Sequence, residues 1–364
     1  MKKFSSKTQI VLILLLPLGI ISTQLSRIFP NFIEKYYSSF FYKIIANILS
    51  TITGFLPFSL AELIIICFSF FMLWYILKTF LKLCKCRNKR FEILRNFFLN
   101  ILATFGVIYF SFQILWGFNY QRLTLDKIFQ LNVRPSSSNE LALLCESLIN
   151  NSNSLRVKIK ENKYGVMELP YNKKYILKTA HLGYDKISKQ FTQLKGNYGS
   201  PKAIVLSIPM SYTGITGFYF PFTNEANINM AQPDSDLPFT AAHEMAHQRG
   251  FAKEDEANYI AYIVCINHPD INFQYSGILA ALSYSFNALQ KIDPRKYKDL
   301  LLTCSPAVLS DFKYDQEFWE LYSGPVEKIN DKINDTYLKS QNQQSGTKSY
   351  GAMVDLLLAA YRKK

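Results

Sequence analysis

PFTAAHEMAHQRGFAKEDEANYIA, residues 238–261, is the stretch from which the rest of the chain can be read. It holds two of the four histidines, His243 and His247, in an H-E-x-x-H arrangement. In an α-helix, residues four apart stack on one face, so both imidazoles can reach a single ion. Glu244 lies about 100° round the helix, where it can reach a metal-bound water without ligating the metal. Zn2+ is the expected cofactor, and it needs a third protein ligand and an open fourth position.

Gly250, three residues past His247, is a natural left-handed stop at which the chain can reverse. A second helix from Ala252 or Lys253 then carries Glu254, Glu256 and Asn258. Glu254 and Asn258 share a face at i, i+4. That spacing suits Glu254 as third ligand and Asn258 as an amide orienting a ligating histidine through its free ring N–H. Glu256 competes for the ligand role but points off that face. A helix reading AAHEMAH could also be a partly buried helix with satisfied histidines. The turn glycine and the spaced acid–amide pair favour the metal.

Outward from this stretch, the apolar residues gather in the first 120 positions. Residues 9–26 form an uncharged run after Lys2, Lys3 and Lys7, with no small-x-small cleavage site behind it, and read as an uncleaved transmembrane helix. Residues 60–77 and 96–118 read as two more spans, with Trp116 and Tyr120 as interfacial anchors. Residues 38–58 are too broken to span and read as an amphipathic or re-entrant element. The 78–95 connection is the most basic, which assigns it and the N-terminus to the cytoplasmic side. Residues 1–118 are then a membrane domain of a bacterial cytoplasmic membrane. Residues 119–364 are an extracytoplasmic catalytic domain.

The formal charge of +14 needs only anionic lipid beside that basic loop. No interleaved basic–aromatic motif asks for nucleic acid. Of the six cysteines, Cys67, Cys84 and Cys86 lie in or below the membrane, where thiols stay reduced. Cys145, Cys265 and Cys304 leave one disulfide open, with no basis for choosing its pair.

Residues 121–139 read as a linker, with Asn139 capping the helix ELALLCESLIN and residues 150–154 breaking it. A helix over 171–194 contains His181, which reads as a surface or core histidine. Residues 202–207 form a short strand. The glycine-punctuated, aromatic stretch 211–232 reads as a hairpin or extended edge able to hold a peptide by strand addition. Asp234 or Asp236 caps the helix that Pro238 opens. Helices over 276–291, 293–311, 315–338 and 351–361 follow, the last set off by SQNQQSGTK. The fold class expected is mainly α and membrane-anchored: three N-terminal spans, then a mostly helical zincin-like domain with a small β element.

The H-E-x-x-H with Glu254-Asp255-Glu256-Ala257-Asn258 resembles the second-helix motif E-x-x-[AS]-[DN] of gluzincin metallopeptidases. That resemblance implies Glu254 as ligand and sets Asn258 at the family's acid or amide position, although only six residues separate His247 from Glu254. The whole chain resembles the bacterial membrane family catalogued as domain of unknown function 3810. The likeness is carried by LPFSLAE (56–62), WGFNYQR (116–122), GITGFYFPFTNEANIN (214–229), HEMAHQRGFAKEDEAN (243–258), YSG (275–277), NDTYLK (334–339) and SYG (349–351). It implies a zinc hydrolase without naming a substrate.

The chemistry expected is peptide hydrolysis at the outer membrane face, with water activated by zinc and Glu244 as general base. Tyr212, Tyr219, Tyr275 and Arg249 can each supply an oxyanion donor. Tyr219 comes first because it lies on the edge segment. Expected partners are a peptide or envelope substrate and the lipid bilayer, with no nucleic acid. The alternatives are a zinc amidase or hydrolase of envelope substrates, and a non-catalytic, zinc-stabilised sensor or assembly protein.

Overall fold

In the computed structural model, residues 6–340 and 352–363 are described. Three helices are long and apolar enough to cross a membrane, Ser6–Ile28, Leu60–Lys85 and Arg90–Leu115. The protein covers little of them: at most 17% of the most apolar stretch of any one is buried. A short polar chain ties all three together, Gln9 Nε2 donating to Asn100 Oδ1 at 2.7 Å and Asn100 Nδ2 to the Tyr75 hydroxyl at 2.9 Å.

The third helix stops at Leu115, short of the expected 118. Trp116 and Tyr120 are not interfacial anchors. They are 5% and 4% exposed and pack with Ile33, Tyr37, Tyr42 and Tyr198 in a cluster of their own. A polar partner inside the protein explains the difference for Trp116, whose indole N–H donates to the His247 carbonyl at 3.1 Å.

Residues 38–58 form an inside-out amphipath. A π-helical stretch, Ile33–Phe41, runs into the helix Tyr42–Gly54. Tyr42, Ala46, Ser50 and Thr53 face inward and hydrogen-bond to the body of the protein around Asn224 and Thr223. Ile44, Ile48 and Ile52 face outward and are exposed.

Residues 121–139 are not a linker. Arg122, 5% exposed, clamps Glu34 through two nitrogens at 2.7 and 2.8 Å, donates to the Gly250 carbonyl and lies over the Phe251 ring. The short helix Leu125–Phe129 buries both end residues in the main core. The next helix, Ser138–Arg156, is capped by Ser137 rather than Asn139, because Glu140 completes a capping box with Ser137. It continues through 150–154, where the Asn151 and Ser154 side chains bond back to carbonyls one turn earlier. The helix expected over 171–194 is divided into Lys173–Thr179, His181–Ile187 and a single turn at Thr192–Leu194.

The sheet has three strands in the order β1-β3-β2: β1 (Lys202–Ala203), β2 (Gly217–Phe220) and β3 (Glu225–Ile228). β1 is shorter than expected and pairs parallel to β3, while β2 and β3 form the hairpin. β3 also receives the second apolar helix. The Glu225 carboxylate accepts from the N–H groups of Leu60 (3.2 Å) and Ala61 (2.8 Å), a negative charge at a helix N-terminus. Ser59, which caps that helix, donates to Asn227 Oδ1 at 2.6 Å.

Behind the sheet lie the helices Leu237–Gln248, Glu254–Asn267 and Ile271–Ile292, with Pro294–Leu301, Pro306–Tyr322, Pro325–Ser340 and Ala352–Arg362 following. Their apolar faces and that of Ser138–Arg156 make the main core. A buried polar knot joins three of these helices, Asp311 accepting from Arg156 Nε at 2.7 Å and from the Tyr275 hydroxyl at 2.5 Å. Most of SQNQQSGTK lies outside the described residues. All six cysteines are free, and burial pushes the thiols of Cys145 and Cys304 up to about 12 and 11.

Candidate metal centre

Leu237–Gln248 begins with Pro238 in its first turn and is buried along almost its whole length. Asp236 stands at its N-cap, but its side chain makes no capping bond. The helix ends where the His247 carbonyl receives Gly250 N–H, and Gly250 takes φ +82°. This left-handed residue reverses the chain so that Glu254–Asn267 returns alongside. A side chain at Gly250 would meet the Tyr42 ring at 2.8 Å, so the position needs glycine for space as well as for backbone.

The reversal brings three donor groups to one point. His243 Nε2 lies 3.0 Å from His247 Nε2 and 3.2 Å from Glu254 Oε2, and His247 Nε2 lies 3.6 Å from Glu254 Oε1. One donor atom from each of the three side chains falls within 4.8 Å of the others. A tetrahedral ion with bonds of about 2.1 Å holds its ligand atoms roughly 3.4 Å apart, so the spacing fits a metal.

The tautomer fits as well. His247 Nδ1 lies 2.7 Å from the Phe251 carbonyl, which can only accept. The ring proton therefore belongs on Nδ1, and Nε2 presents a lone pair to the cluster. The charges agree. Burial alone would lower the His247 pKa, but the Glu254 carboxylate outweighs it and holds His247 up at about 9. Burial would raise Glu254, and the two histidines instead pull it well below the ordinary carboxylate range. A cation that binds here replaces the proton these groups share.

Glu244 stands next to the cluster, 4% exposed, and its Oε2 has no hydrogen-bond partner. Burial pushes it up to about 6 against the opposing pull of His243 and His247. It packs against β2 at Gly217, where an added Cβ would lie 2.8 Å from Glu244 Cγ. Glu256 serves elsewhere: it is 3% exposed and accepts from the Leu125 N–H at 3.0 Å.

The cluster opens into a cavity of about 910 Å3 between β2, the two motif helices and Ile271–Ile292. Tyr219 lines it, but its hydroxyl donates to Asn224 Oδ1 at 2.6 Å and sits 3.1 Å from that of Tyr42. Arg249, Tyr275 and Tyr212 are not in the cavity wall. Arg249 is buried between the Tyr184 and Tyr198 rings, Tyr275 is bound to Asp311, and Tyr212 stacks edge-on against Tyr322. His181 is a surface residue beside Asp185. Asn258 is in the wall, yet the histidine-orienting role expected of it falls to the Phe251 carbonyl. Tyr284 lines the cavity with Asn258, beside Glu254.

Tyr284 belongs to a stripe that motif reading passes over. Ser276, Leu279, Ala280, Ser283 and Tyr284 recur at i, i+3, i+4, i+7 and i+8 and all face the cavity. Asp236, Asp315 and Trp319 stand in the same wall.

The segments that build this centre, from Tyr42 to the C-terminal helices, coincide with one family. The model described as "Protein of unknown function (DUF3810)" matches residues 37–358. The chain belongs to that family. The matched span includes the inside-out helix, the last two apolar helices and every residue of the cluster. No curated protein and no solved structure matches the chain.

Proposed function

We propose that this DUF3810 protein is a membrane-anchored, zinc-dependent, gluzincin-like metallopeptidase. The observation that carries the reading is the convergence of His243, His247 and Glu254 within 4.8 Å, with Glu244, whose Oε2 has no hydrogen-bond partner among the described residues, beside them in an open cavity. A purely structural metal site has no use for that carboxylate.

Bound zinc supplies Lewis acidity, lowering the pKa of a ligated water and polarising a carbonyl. Glu244 takes the proton of the attacking water. As the C–N bond breaks, Glu244 passes that proton to the leaving nitrogen, so one amide and one water become a carboxylate and an amine. The Phe251 carbonyl holds His247 in its ligating tautomer. Tyr284 is the hydroxyl we assign to the developing oxyanion, because it lines the cavity beside Glu254. β2, an edge strand on the cavity wall, can hold an extended peptide by strand addition.

Membrane anchoring is supported by the three uncovered apolar helices and the exposed isoleucine face of Tyr42–Gly54. The basic 78–95 connection argues for that loop in the cytoplasm and the metal centre on the far side of the membrane.

The test uses the full-length protein in detergent, because Tyr42 and Trp116 pack against the motif. Zinc content is measured together with cleavage of a mixed fluorogenic peptide pool, for wild type and Glu244→Gln. One zinc per chain in both, with cleavage in wild type alone, is the expected result. Folded wild type without zinc overturns the reading. Zinc without Glu244-dependent cleavage would favour the envelope amidase or the sensor.

A further inference from the structure

The strand that walls the metal cavity also walls a second one. Along β2 and the two residues after it, Phe218, Tyr219 and Pro221 line the first cavity, while Phe220 and Phe222 line another of about 620 Å3. The third apolar helix is shared in the same way, Phe112 facing the first space and Ile108, one turn earlier, the second. The two spaces share β2 and the third apolar helix as walls.

The second cavity lies among the membrane-length helices, with Leu12 from the first, Ile65 and Phe68 from the second and Val107 from the third in its wall. No acidic or basic side chain lines it. Its polar groups are Ser69, Thr104, Tyr75 and Asn100, and Asn100 is bonded to both Tyr75 and Gln9. Such a lining accepts hydrocarbon and offers nothing to a charged ligand.

Ile333 lines the metal cavity at 63% exposure, beside Asn330 and Asn334 in the same wall. The Val205 and Leu206 N–H groups donate to the Glu62 carboxylate, in the first turn of the second apolar helix, at 3.0 and 2.8 Å. The turn that follows β1 is therefore tied to the first turn of a membrane-length helix.

We infer that the substrate is a lipid-anchored peptide, whose hydrocarbon chain lies between the apolar helices while its peptide passes β2 to the metal cluster. The inference rests on the hydrolase reading and names its substrate class. A soluble peptide would make no use of the uncharged groove that shares β2 with the metal cavity.

The test irradiates the full-length protein, in phosphatidylcholine nanodiscs, with a palmitoylated peptide carrying a diazirine at the end of its acyl chain. Cross-links are expected around Ser69–Met72 and Thr104–Ile108. They should be lost in Ser69→Trp and Thr104→Trp, both at exposed positions where the fold tolerates bulk. The palmitoylated peptide should displace them and its acetylated counterpart should not. Cross-links scattered over the outer helix faces, or unmoved by excess palmitoylated peptide because bulk lipid fills the groove, overturn the inference. Cleavage of the same probe by wild type against Glu244→Gln reads the chemistry separately. Cleavage without groove labelling sinks the substrate class alone, and groove labelling without cleavage sinks the hydrolase reading.

Discussion

His247 and Phe251 are joined across the Gly250 turn by a 2.7 Å bond from the imidazole Nδ1 to the Phe251 carbonyl. The bond makes one backbone reversal serve two ends, since it stops the first helix and sets the tautomer of a ligand. Gly250→Ala tests both. A β-carbon at φ +82° costs about 1–2 kcal/mol and also meets the Tyr42 ring. Zinc affinity should fall roughly 10- to 100-fold with the displaced carbonyl. Thermal unfolding with and without zinc measures the two effects.

The two carboxylates of the second helix should separate cleanly. Glu254→Ala and His247→Ala should lose zinc. Glu256→Ala should keep it and lose about 1–3 kcal/mol of stability, because the Leu125 N–H is left buried without its acceptor. Metal content and denaturant midpoints decide. Zinc loss in Glu256→Ala with Glu254→Ala unaffected would reverse the assignment.

Tyr284→Phe should lower kcat about 10- to 1000-fold with KM little changed. Tyr219→Phe should act mainly on stability, since its hydroxyl bonds Asn224 and neighbours Tyr42. The opposite split in steady-state kinetics would return the oxyanion role to Tyr219.

Asp236 gives a pH dependence. Burial first, then the facing Asp315 carboxylate, raise its pKa well above the ordinary aspartate range, against the opposing Ser235 and Trp319 hydrogen bonds. Tyr284 faces it from the neighbouring helix. A raised folded-state pKa means the folded protein holds the proton more tightly. Its contribution to stability is full below the unfolded pKa and is lost as pH rises through the folded one. Asp315→Asn removes the like charge. The variant should be more stable than wild type at pH 8, and the gain should shrink as pH approaches 4. A gain that does not depend on pH in melting curves would rule out this coupling.

The centre was legible where periodicity alone decides position. His243 and His247 at i, i+4 and Glu254 after a turn glycine are local facts. The Phe251 carbonyl was not legible, because a backbone acceptor leaves no mark in side-chain chemistry. Asn258 looked suited to that role and lies in the cavity wall instead. Trp116 and Tyr120 were misread because an aromatic pair after an apolar run fits a lipid interface as well as a buried cluster. Only the His247 carbonyl, more than a hundred residues away, distinguishes them. Arg122 misled in the same way, since its partners Glu34 and Gly250 lie far off in sequence and its stretch looked like solvated linker. The cavity stripe from Ser276 to Tyr284 was written at helical spacing. It passed for an ordinary amphipathic face because small and hydroxyl residues carry no motif.

The Trp116 bond to His247 has a consequence for how such an activity is deployed. Many surface enzymes can be released by a single cut just outside their anchor and go on working at a distance. Here a cut near residue 118 would take away the indole and the Tyr42 ring that brace the motif from beneath. On the proposed function, the clipped product would be a dead fragment, and the range of the activity would be the reach of whatever diffuses to it in the plane that holds its apolar helices.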